Sequence, residues 1–326
     1  MKYTVTMESF ASIAALYNDS TIPLKWEPLF VTPVWMDNWW RVFGDGNELS
    51  IFAVREDGET IGFAPFMRNG DTCRLIGSTD VCDYFDFVIA PGREQSFFTA
   101  LLEELPRKGI TTLVLESLRP DSNVLTSFTG LAESAGCRVE ITPNDVTLEM
   151  DLPPTWDDYL AALNTKQRHE VRRKLRRLEE AGNVSYHSTG DPGDVREYLV
   201  LFLKMFTGSR TDKADYLTET RETFFRTMTD VMSAAGILRL GILEIESVPA
   251  AMIMYFDYHD TIFLYNSGYN PNYNNLSAGL MSKVLCIKDS IESGKKMFDF
   301  LKGDEVYKSR LGGIEIPLSD CRIIIK

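Results

Sequence analysis

The sequence predicts an α/β (α+β) fold of two consecutive domains, each a mixed, mostly antiparallel sheet flanked by helices. The main observation is an internal repeat: residues 49–78 align without gaps onto residues 238–267. In both copies apolar strands are separated by turn residues at matching places, as with Asp57-Gly58 opposite Glu246-Ser247. The repeat is too long for a solenoid unit, so it indicates two domains of one fold.

The elements after the repeat support this interpretation. Each copy continues into an amphipathic helix and one more apolar strand, at residues 96–107 and 112–116 and at residues 277–293 and 297–301. A chain of 326 residues has the length of two domains that can each bury a core. We therefore place an N-terminal domain at residues 1–150 and a C-terminal domain at residues 151–326.

Local patterns predict the elements between the two copies. Pro143-Asn144-Asp145 and Pro153-Pro154 flank a short strand and are predicted to link the domains. Val184–His187 predicts the first strand of the second domain, and helices are predicted near Val195–Phe206 and Arg221–Ala234. The second half therefore contains helices, a meander of strands, one central helix and a final strand, as in an α/β sheet.

The composition is that of a globular protein. Apolar residues make up 44% of the chain and charged residues 25%, and no apolar stretch is long enough to span a bilayer. The five cysteines are scattered without CxxC spacing, which favours reduced thiols and a cytoplasmic location. Because the three histidines lack ligand spacing, we expect no metal site, and a Ser-His-Asp triad has few candidates.

The charge is unevenly distributed along the chain. The net charge of −13 argues against binding to DNA or to an anionic membrane surface. The exception is KQRHEVRRKLRR at residues 166–177, where seven Lys and Arg residues stand against one Glu.

This basic segment is predicted to be a helix, capped by Asn164 or Thr165. Arg168, Arg172 and Arg176 then line one flank at intervals of four residues. The flank is either a solvated surface or a binding site for a phosphate-bearing ligand, because Arg binds phosphate oxygens bidentately.

The chemistry is predicted where the meander meets the central helix. Residues 265–279, YNSGYNPNYNNLSAG, indicate the end of a strand, a polar loop and the start of a helix. Ser277 is the predicted N-cap, and the small residues Ala278 and Gly279 let a ligand approach the N–H groups of the first turn. Such a helix start favours an anion, especially a pyrophosphate. The matching loop of the first copy lacks this small-residue turn, so only the second copy is predicted to bind a phosphate-bearing cofactor.

Four blocks in their order resemble tandem GNAT-fold acyltransferases, specifically the CelD-like acetyltransferases and the related Fem-type peptidoglycan bridge ligases. The blocks are WEPLFVTPVWMDNWW at 26–40, the basic segment, residues 265–279, and FDFLKGDEVYKSRLG at 298–312. The resemblance implies two GNAT-like domains, with acyl-donor binding in the C-terminal domain and the acceptor on the N-terminal side. It implies acyl transfer from acyl-CoA (acetyl-CoA) to an amine by direct attack, without a covalent enzyme intermediate.

The resemblance also implies site residues. In a GNAT fold the pantetheine arm enters a gap where the sheet splays beside the central helix. Cofactor binding is therefore assigned to Tyr265, Ser267, Leu276, Ser277, Ala278 and Gly279. Catalysis is assigned to the block after the last strand: Asp304 is a candidate to accept the amine proton, Tyr307 to donate to the leaving thiolate, and Lys308 to hold a phosphate or polarise the acyl carbonyl.

Other residues are candidates for acceptor binding. Asp83 and Asp86 are positioned to bind or deprotonate an acceptor amine, or are surface turn residues. Trp35 is a candidate wall of an acceptor cleft, although its spacing from Trp39 is also typical of a core. Arg168 and Arg172 would bind a nucleotide-activated acceptor. The expected acceptor is an amino sugar, an amino acid or a cell-envelope precursor.

Two alternatives stay open. An aminoacyl-tRNA-dependent Fem-type ligase is disfavoured by the net charge and by the lack of an inserted helical arm. A non-catalytic tandem GNAT protein would bind a nucleotide or a protein partner without turnover.

Overall fold

The structure, a computed structural model, describes residues 3–209 and 211–325. Its contacts divide the chain into unit 1, Met1–Asp145 with Ile316–Lys326, and unit 2, Val146–Glu315. The units divide at residues 145/146, close to the predicted boundary at residues 150/151. The C-terminal segment, predicted to belong to the second domain, belongs to unit 1 because its strand pairs with a strand of that unit.

Unit 1 consists of a sheet flanked by helices. Its strands are β1 (Tyr3–Glu8), β2 (Glu48–Glu56), β3 (Glu59–Asn69), β4 (Thr72–Leu75), β5 (Val88–Ile89) and β6 (Thr112–Leu118). Its helices are α1 (Phe10–Tyr17), α2 (Pro33–Phe43), α3 (Glu94–Arg107) and α4 (Thr129–Ser134), with a 3-10 turn at Leu29–Val31 and a π-helical turn at Val124–Phe128.

The next strand, β7 (Arg138–Asp151), contains the unit boundary. It also contains Pro143-Asn144-Asp145, so the predicted linker is part of a strand. The helices of unit 2 are α5 (Trp156–Ala162), α6 (Thr165–Glu179), α7 (Pro192–Ser209), α8 (Thr211–Tyr216), α9 (Glu219–Ala234), α10 (Ala278–Glu292) and α11 (Val306–Arg310). The remaining strands are β8 (Val184–Thr189), β9 (Leu238–Ile245), β10 (Val248–Tyr258), β11 (Thr261–Tyr269), β12 (Met297–Lys302) and β13 (Ile314–Ile324).

The two sheets repeat one strand order. Within the described residues, unit 1 has the order β1-β2-β3-β4-β6-β13, with β5 beside β3, and unit 2 has the order β7-β12-β11-β10-β9-β8. In the described part of each sheet, one neighbouring pair is parallel, β4 with β6 and β11 with β12. The internal repeat seen in the sequence is therefore a repeat of topology, as predicted.

The turns of the two copies also match. Asp57 and Gly58 in the first copy have φ angles of 49° and 98°, and Glu246 and Ser247 in the second have φ angles of 50° and 61°. Both hairpins therefore use a two-residue turn with positive φ, the type that matches the twist of the flanking strands. Ser247 adopts a conformation that Gly58 reaches without a steric penalty.

Helix α7 is pressed closely against β11, the strand that leads to the predicted site. A Cβ atom placed on Gly268 would lie 2.6 Å from the carbonyl carbon of Met205. The buried side chains of Phe202 and Phe206 belong to the same helix. A glycine at this position of β11 is thus required by the packing of α7.

We predict that Gly268→Ala lowers the free energy of unfolding by about 1–3 kcal/mol, because the added methyl group overpacks the α7–β11 contact. The control is Gly208→Ala, since a Cβ atom at Gly208 in α7 would have no neighbour within 4 Å. The control is expected to be neutral or slightly stabilising. Chemical denaturation of both variants provides the measurement, and equal stabilities would contradict the assigned packing.

Candidate active site

Strands β11 and β12 diverge, which opens a gap in the sheet of unit 2. They pair at Thr261–Met297, Ile262–Phe298 and Phe263–Asp299, and no later pair joins them in the part of the chain that the structure describes. On its other side, β11 stays paired with β10 as far as Tyr269. The segment from Leu264 to Tyr269 therefore presents one edge to a gap, as the resemblance implied.

A β-bulge marks the point where the strands part. The register between β10 and β11 shifts between the pairs Met254–Asn266 and Tyr255–Leu264, so that Tyr265 is the extra residue. Its ring packs against Phe256 with a centroid separation of 5.0 Å. Bulges bend a strand and change the direction of its edge, which suits the start of a binding gap.

The loop from β11 to α10 forms a sharp corner. A 3-10 turn covers Pro271–Leu276, and Ser277 then adopts the left-handed conformation with φ 56° and ψ 38°. Ser277 is the N-cap residue of α10, as predicted, but in this conformation its side chain makes no cap hydrogen bond. Instead its carbonyl oxygen accepts from the N–H groups of Leu280 and Met281. A left-handed non-glycine residue at this corner is strained, as is common at ligand sites.

The small residues of the first turn of α10 have a packing reason. Ala278 is fully buried, and a Cβ atom on Gly279 would lie 2.7 Å from the ring of Tyr269. The lack of a side chain at Gly279 therefore leaves space for the Tyr269 ring, a role that the sequence did not reveal. As the first residues of α10, Ala278 and Gly279 direct their N–H groups out of the helix start.

The basic helix α6 packs against α10 and against the 3-10 turn before it. Asn164 caps α6 by accepting from the Gln167 N–H at 2.9 Å, as predicted. The buried stripe is formed by Val171 and Leu178, which share a core with Leu276. This packing holds the arginine-rich helix beside the start of α10.

The arginines named by the sequence have different environments. Arg168 is half-buried and its guanidinium lies 3.4 Å from the Ala161 carbonyl oxygen, whereas Arg172 is exposed. Arg172 and Arg176, which are both exposed, are thus available to a ligand in solution.

Lys308 is buried, and its ammonium group is fully hydrogen-bonded within the protein. Its ammonium donates to the carbonyl oxygens of Leu301, Lys302 and Gly303 at 2.9, 2.6 and 3.0 Å. Its Nζ atom also lies 2.8 Å from the Glu305 carboxylate. Leu301 and Gly303 both have positive φ angles, so Lys308 holds a strained corner after β12. In this arrangement Lys308 shapes the site, since its three N–H donors already have acceptors.

The same corner is supported from β12. Asp299 is buried, and its carboxylate accepts from the Leu301 N–H at 2.7 Å. Tyr307, on α11, is half-buried, with its ring 6.5 Å from that of Phe300. Asp304 is exposed in the loop before α11. Of the three predicted catalytic residues, Tyr307 is the one that the corner orients toward other site residues.

Lys283, which sequence reasoning missed, lies within the same site. Its side chain extends from α10, is 8% exposed, and donates to the Ser267 hydroxyl at 2.9 Å and to the Gly279 carbonyl oxygen at 2.8 Å. Its Nζ atom lies 5.0 Å from the centre of the Tyr307 ring. The signal available in the sequence was a lysine at a position where the helical pattern predicts a buried apolar residue.

A second lysine shares the strand residue that Lys283 contacts. Lys213, on α8, donates to the Ser267 carbonyl oxygen and lies 4.7 Å from the centre of the Phe206 ring. Ser267 was predicted to bind the cofactor, and the structure places it between two ammonium groups. The pKa of Lys283 is lowered to about 7 because burial disfavours its charge and Lys213 repels it.

The predicted acceptor residues of unit 1 do not form a site together. Trp35 is completely buried, and its indole N–H donates to the Cys82 sulfur at 3.2 Å, so its predicted place in a cleft wall is corrected to the core. Asp86 is also buried, and it accepts from the N–H groups of Phe87 and Asn123, both at 2.8 Å. Burial raises the pKa of Asp86 to about 7. Asp83 is half-buried and remains a candidate.

The geometry of unit 2 agrees with a match to known proteins. Residues 165–309 match the family model described as an acetyltransferase (GNAT) domain. Unit 2 contains a GNAT acetyltransferase domain. The GNAT domain includes α6, the gap between β11 and β12, the start of α10, and Lys308. The predicted GNAT-type acyltransferase is thereby confirmed at the level of the domain.

Solved structures share the fold along the whole chain. FemX has a TM-score of 0.66 at 11% identity, over 98% of this chain and 96% of that chain. A tandem GNAT protein from the clavulanic acid biosynthesis pathway has a TM-score of 0.51 at 12% identity, over 98% of both chains. The C-terminal domain of a putative lysylphosphatidylglycerol synthetase from Agrobacterium fabrum has a TM-score of 0.58 at 12% identity, over 96% of this chain and 90% of that chain. No curated protein matches the sequence.

Two other searches of the described residues gave negative results. No group of three or more His, Cys, Asp and Glu side chains there is arranged to hold a metal ion. Among the helices of those residues, none combines the length and the apolar character needed to cross a membrane.

We predict that Lys308→Met lowers the free energy of unfolding by about 2–4 kcal/mol, because the three carbonyl oxygens lose a charged donor. The control is Lys288→Met in α10, whose 3.5 Å pair with Glu292 is solvent-exposed and should contribute at most about 1 kcal/mol. Urea denaturation compares the two variants. A Lys308→Met protein as stable as the control would contradict the corner-holding role.

We predict a pH-dependent stability term from Lys283. Its pKa is about 7 in the folded protein and 10.5 when unperturbed, so between these values the unfolded chain binds more protons. The free energy of unfolding, relative to Lys283→Met, should therefore rise as the pH increases from 7 toward 10.5. Denaturation across this range measures the difference, and a flat difference would show that Lys283 remains charged when buried.

Proposed function

We propose that the protein is an N-acyltransferase that moves an acyl group from acyl-CoA to an amine of an amino sugar, an amino acid or a cell-envelope precursor. The observation that carries this proposal is the divergence of β11 and β12 beside the start of α10, within the GNAT domain. The edge of β11 from Tyr265 to Ser267, which faces the gap, is proposed to hold an extended amide-containing arm by strand-like hydrogen bonds.

The residues present fit an acyl-CoA. Leu276, Ser277, Ala278 and Gly279 form the corner whose outward N–H groups suit a pyrophosphate. Arg172, on the helix packed beside this corner, provides a guanidinium for a phosphate of the cofactor or of a nucleotide-activated acceptor. When bound, the cofactor supplies an activated thioester to the gap.

The gap also offers groups for the acyl-transfer step. Tyr307 is proposed to donate a hydrogen bond to the leaving thiolate, and Asp304 remains a candidate to receive a proton from the acceptor amine. Lys308 acts indirectly, because it fixes the corner from which Tyr307 extends. Positioning of the reactants then supplies much of the rate enhancement.

Unit 1 is proposed to bind the acceptor rather than the acyl donor. It repeats the strand order of unit 2, but α3 begins at Glu94 without a small-residue corner. Asp83 is the proposed contact to an acceptor amine. We further propose a cytoplasmic location, on the basis of the scattered cysteines.

The alternative donor is an aminoacyl-tRNA. The basic helix α6 is the feature that favours it, because exposed arginines on one helix suit a nucleic-acid backbone. The net charge of −13 opposes this donor. The ligand experiment below distinguishes the two donors.

We predict that millimolar acetyl-CoA or free CoA raises the thermal midpoint of the protein by mass action, whereas bulk tRNA does not. Arg172→Glu should weaken CoA binding about tenfold or more, with an unchanged midpoint in the absence of ligand. Arg177→Glu is the matched control, because Arg177 is exposed on the opposite flank of α6 and should leave binding unchanged.

Each outcome has a separate meaning. A shift with tRNA alone would overturn the acyl-CoA donor in favour of the ligase. No shift with any of the three would leave a non-catalytic binding protein as the better description. Equal binding by the two variants would remove α6 from the cofactor site without affecting the donor assignment.

A further inference from the structure

We propose that Lys283 is the acid–base residue of acyl transfer, passing the proton of the attacking amine to the leaving sulfur. The inference rests on the proposed function, since it assigns a residue for that reaction. It is carried by the position of a buried amine at the gap between β11 and β12, in contact with Ser267 on β11 and close to the ring of Tyr307 on α11.

The contacts of Lys283 connect the elements that line the gap. The side chain crosses from α10 to the Ser267 hydroxyl on β11, 2.9 Å away, and its Nζ atom lies 5.0 Å from the centre of the Tyr307 ring on α11. The third contact is the Gly279 carbonyl oxygen in the first turn of α10, at 2.8 Å. The amine is therefore held at the edge of β11 that borders the gap, where the proposed function would bring the acyl donor.

The surroundings of Lys283 do not neutralise a positive charge. Among the side chains that the structure describes, none with a carboxylate forms an ion pair with Lys283, and its Nζ atom donates to a hydroxyl and to a carbonyl oxygen. The charged or titratable groups that face it are Lys213 from α8, Cys286 from α10, Glu305 from the preceding loop, and Tyr307 and Lys308 from α11. Glu305 is already paired with Lys308.

This environment gives the amine two accessible protonation states. Burial lowers the pKa of Lys283 to about 7, with Lys213 and Lys308 acting in the same direction and Glu305 and Cys286 opposing it. A proton-transfer group is most effective when its pKa lies near the working pH. An ordinary surface lysine, with a pKa of about 10.4, would stay protonated at neutral pH and could not accept a proton.

The proposed step balances without any further reactant. The neutral acceptor amine attacks the thioester carbonyl carbon, a C–N bond forms, and the C–S bond breaks with its electron pair going to sulfur. The neutral amine of Lys283 takes the extra proton from the new amide nitrogen, and the resulting ammonium gives that proton to the thiolate. The products are the amide and the free thiol, and Lys283 returns to its neutral form, while the Tyr307 hydroxyl donates a hydrogen bond to the sulfur as its charge develops.

The test begins with the protonation of Lys283 itself, which requires no acceptor. Protein labelled with 13C at the lysine Cε is titrated by NMR with and without acetyl-CoA, and the signal of Lys283 is assigned by its loss in Lys283→Met. We expect a midpoint near neutral pH that moves when acetyl-CoA binds. A Lys283 midpoint near that of an ordinary lysine, about 10.4, or one insensitive to acetyl-CoA, would overturn the proposal.

The second part follows the rate of acetyl transfer from acetyl-CoA to glucosamine against pH. Wild-type kcat/KM should show an ascending limb near neutral pH that is missing in Lys283→Met, with kcat reduced about 100-fold or more. Lys283→Arg keeps the charge but cannot accept a proton, so it should be as slow as Lys283→Met. An active Lys283→Arg variant would indicate a purely electrostatic role and overturn the proton-transfer assignment.

The controls separate this inference from the proposed function. Lys288→Met should keep the wild-type pH profile. If the wild-type protein neither binds acetyl-CoA nor transfers its acetyl group, the proposed function fails, and the insensitivity of the NMR titration to acetyl-CoA removes the inference with it. If the wild-type protein is active and both Lys283 variants keep its rate and pH profile, only the role of Lys283 fails.

Discussion

The parting of β11 from β12 is the constraint on which the rest of unit 2 depends. Two parallel strands that pair over only three residues leave a polar backbone edge that must be satisfied by something other than a neighbouring strand. Lys213 satisfies part of this edge by donating a hydrogen bond to the Ser267 carbonyl oxygen. The bulge at Tyr265 and the left-handed corner at Ser277 then direct the chain around the gap and into α10.

The gap is kept open by buried charge. After β12 the chain turns through two residues with positive φ. This turn is stabilised by Lys308, which donates hydrogen bonds to three successive carbonyl oxygens, and by Asp299, which accepts from the Leu301 N–H. Such a corner collapses if its charged members are removed, because the carbonyl dipoles would then point at one another without a donor. Lys308 is thus structural, whereas Lys283, on α10, forms no ion pair with a carboxylate among the side chains that the structure describes.

Recognition of the family from the sequence succeeded for elements and failed for individual contacts. The repeated order of elements along the chain and the capped basic helix followed from the internal repeat and from local patterns, and the location of the gap followed from the family resemblance. Trp35 and Asp86 were assigned to a binding site although both are buried in the core. The sequence pattern around an aromatic or acidic residue does not distinguish a cleft from a core. Only the packing around them shows that the Trp35 indole faces Cys82 and that Asp86 accepts backbone N–H groups.

By itself, the sequence determined which segments become strands and helices, since alternation of apolar residues, turn residues and caps act over a few neighbours. It also determined that the fold occurs twice, because the same periodicities recur with one offset. The tertiary structure alone decided that Gly279 seats Tyr269, that the last strand joins unit 1, and that Lys283 is buried beside Ser267. Each of these depends on contacts between residues far apart in the chain, and the free energy of a buried amine depends on every group that surrounds it.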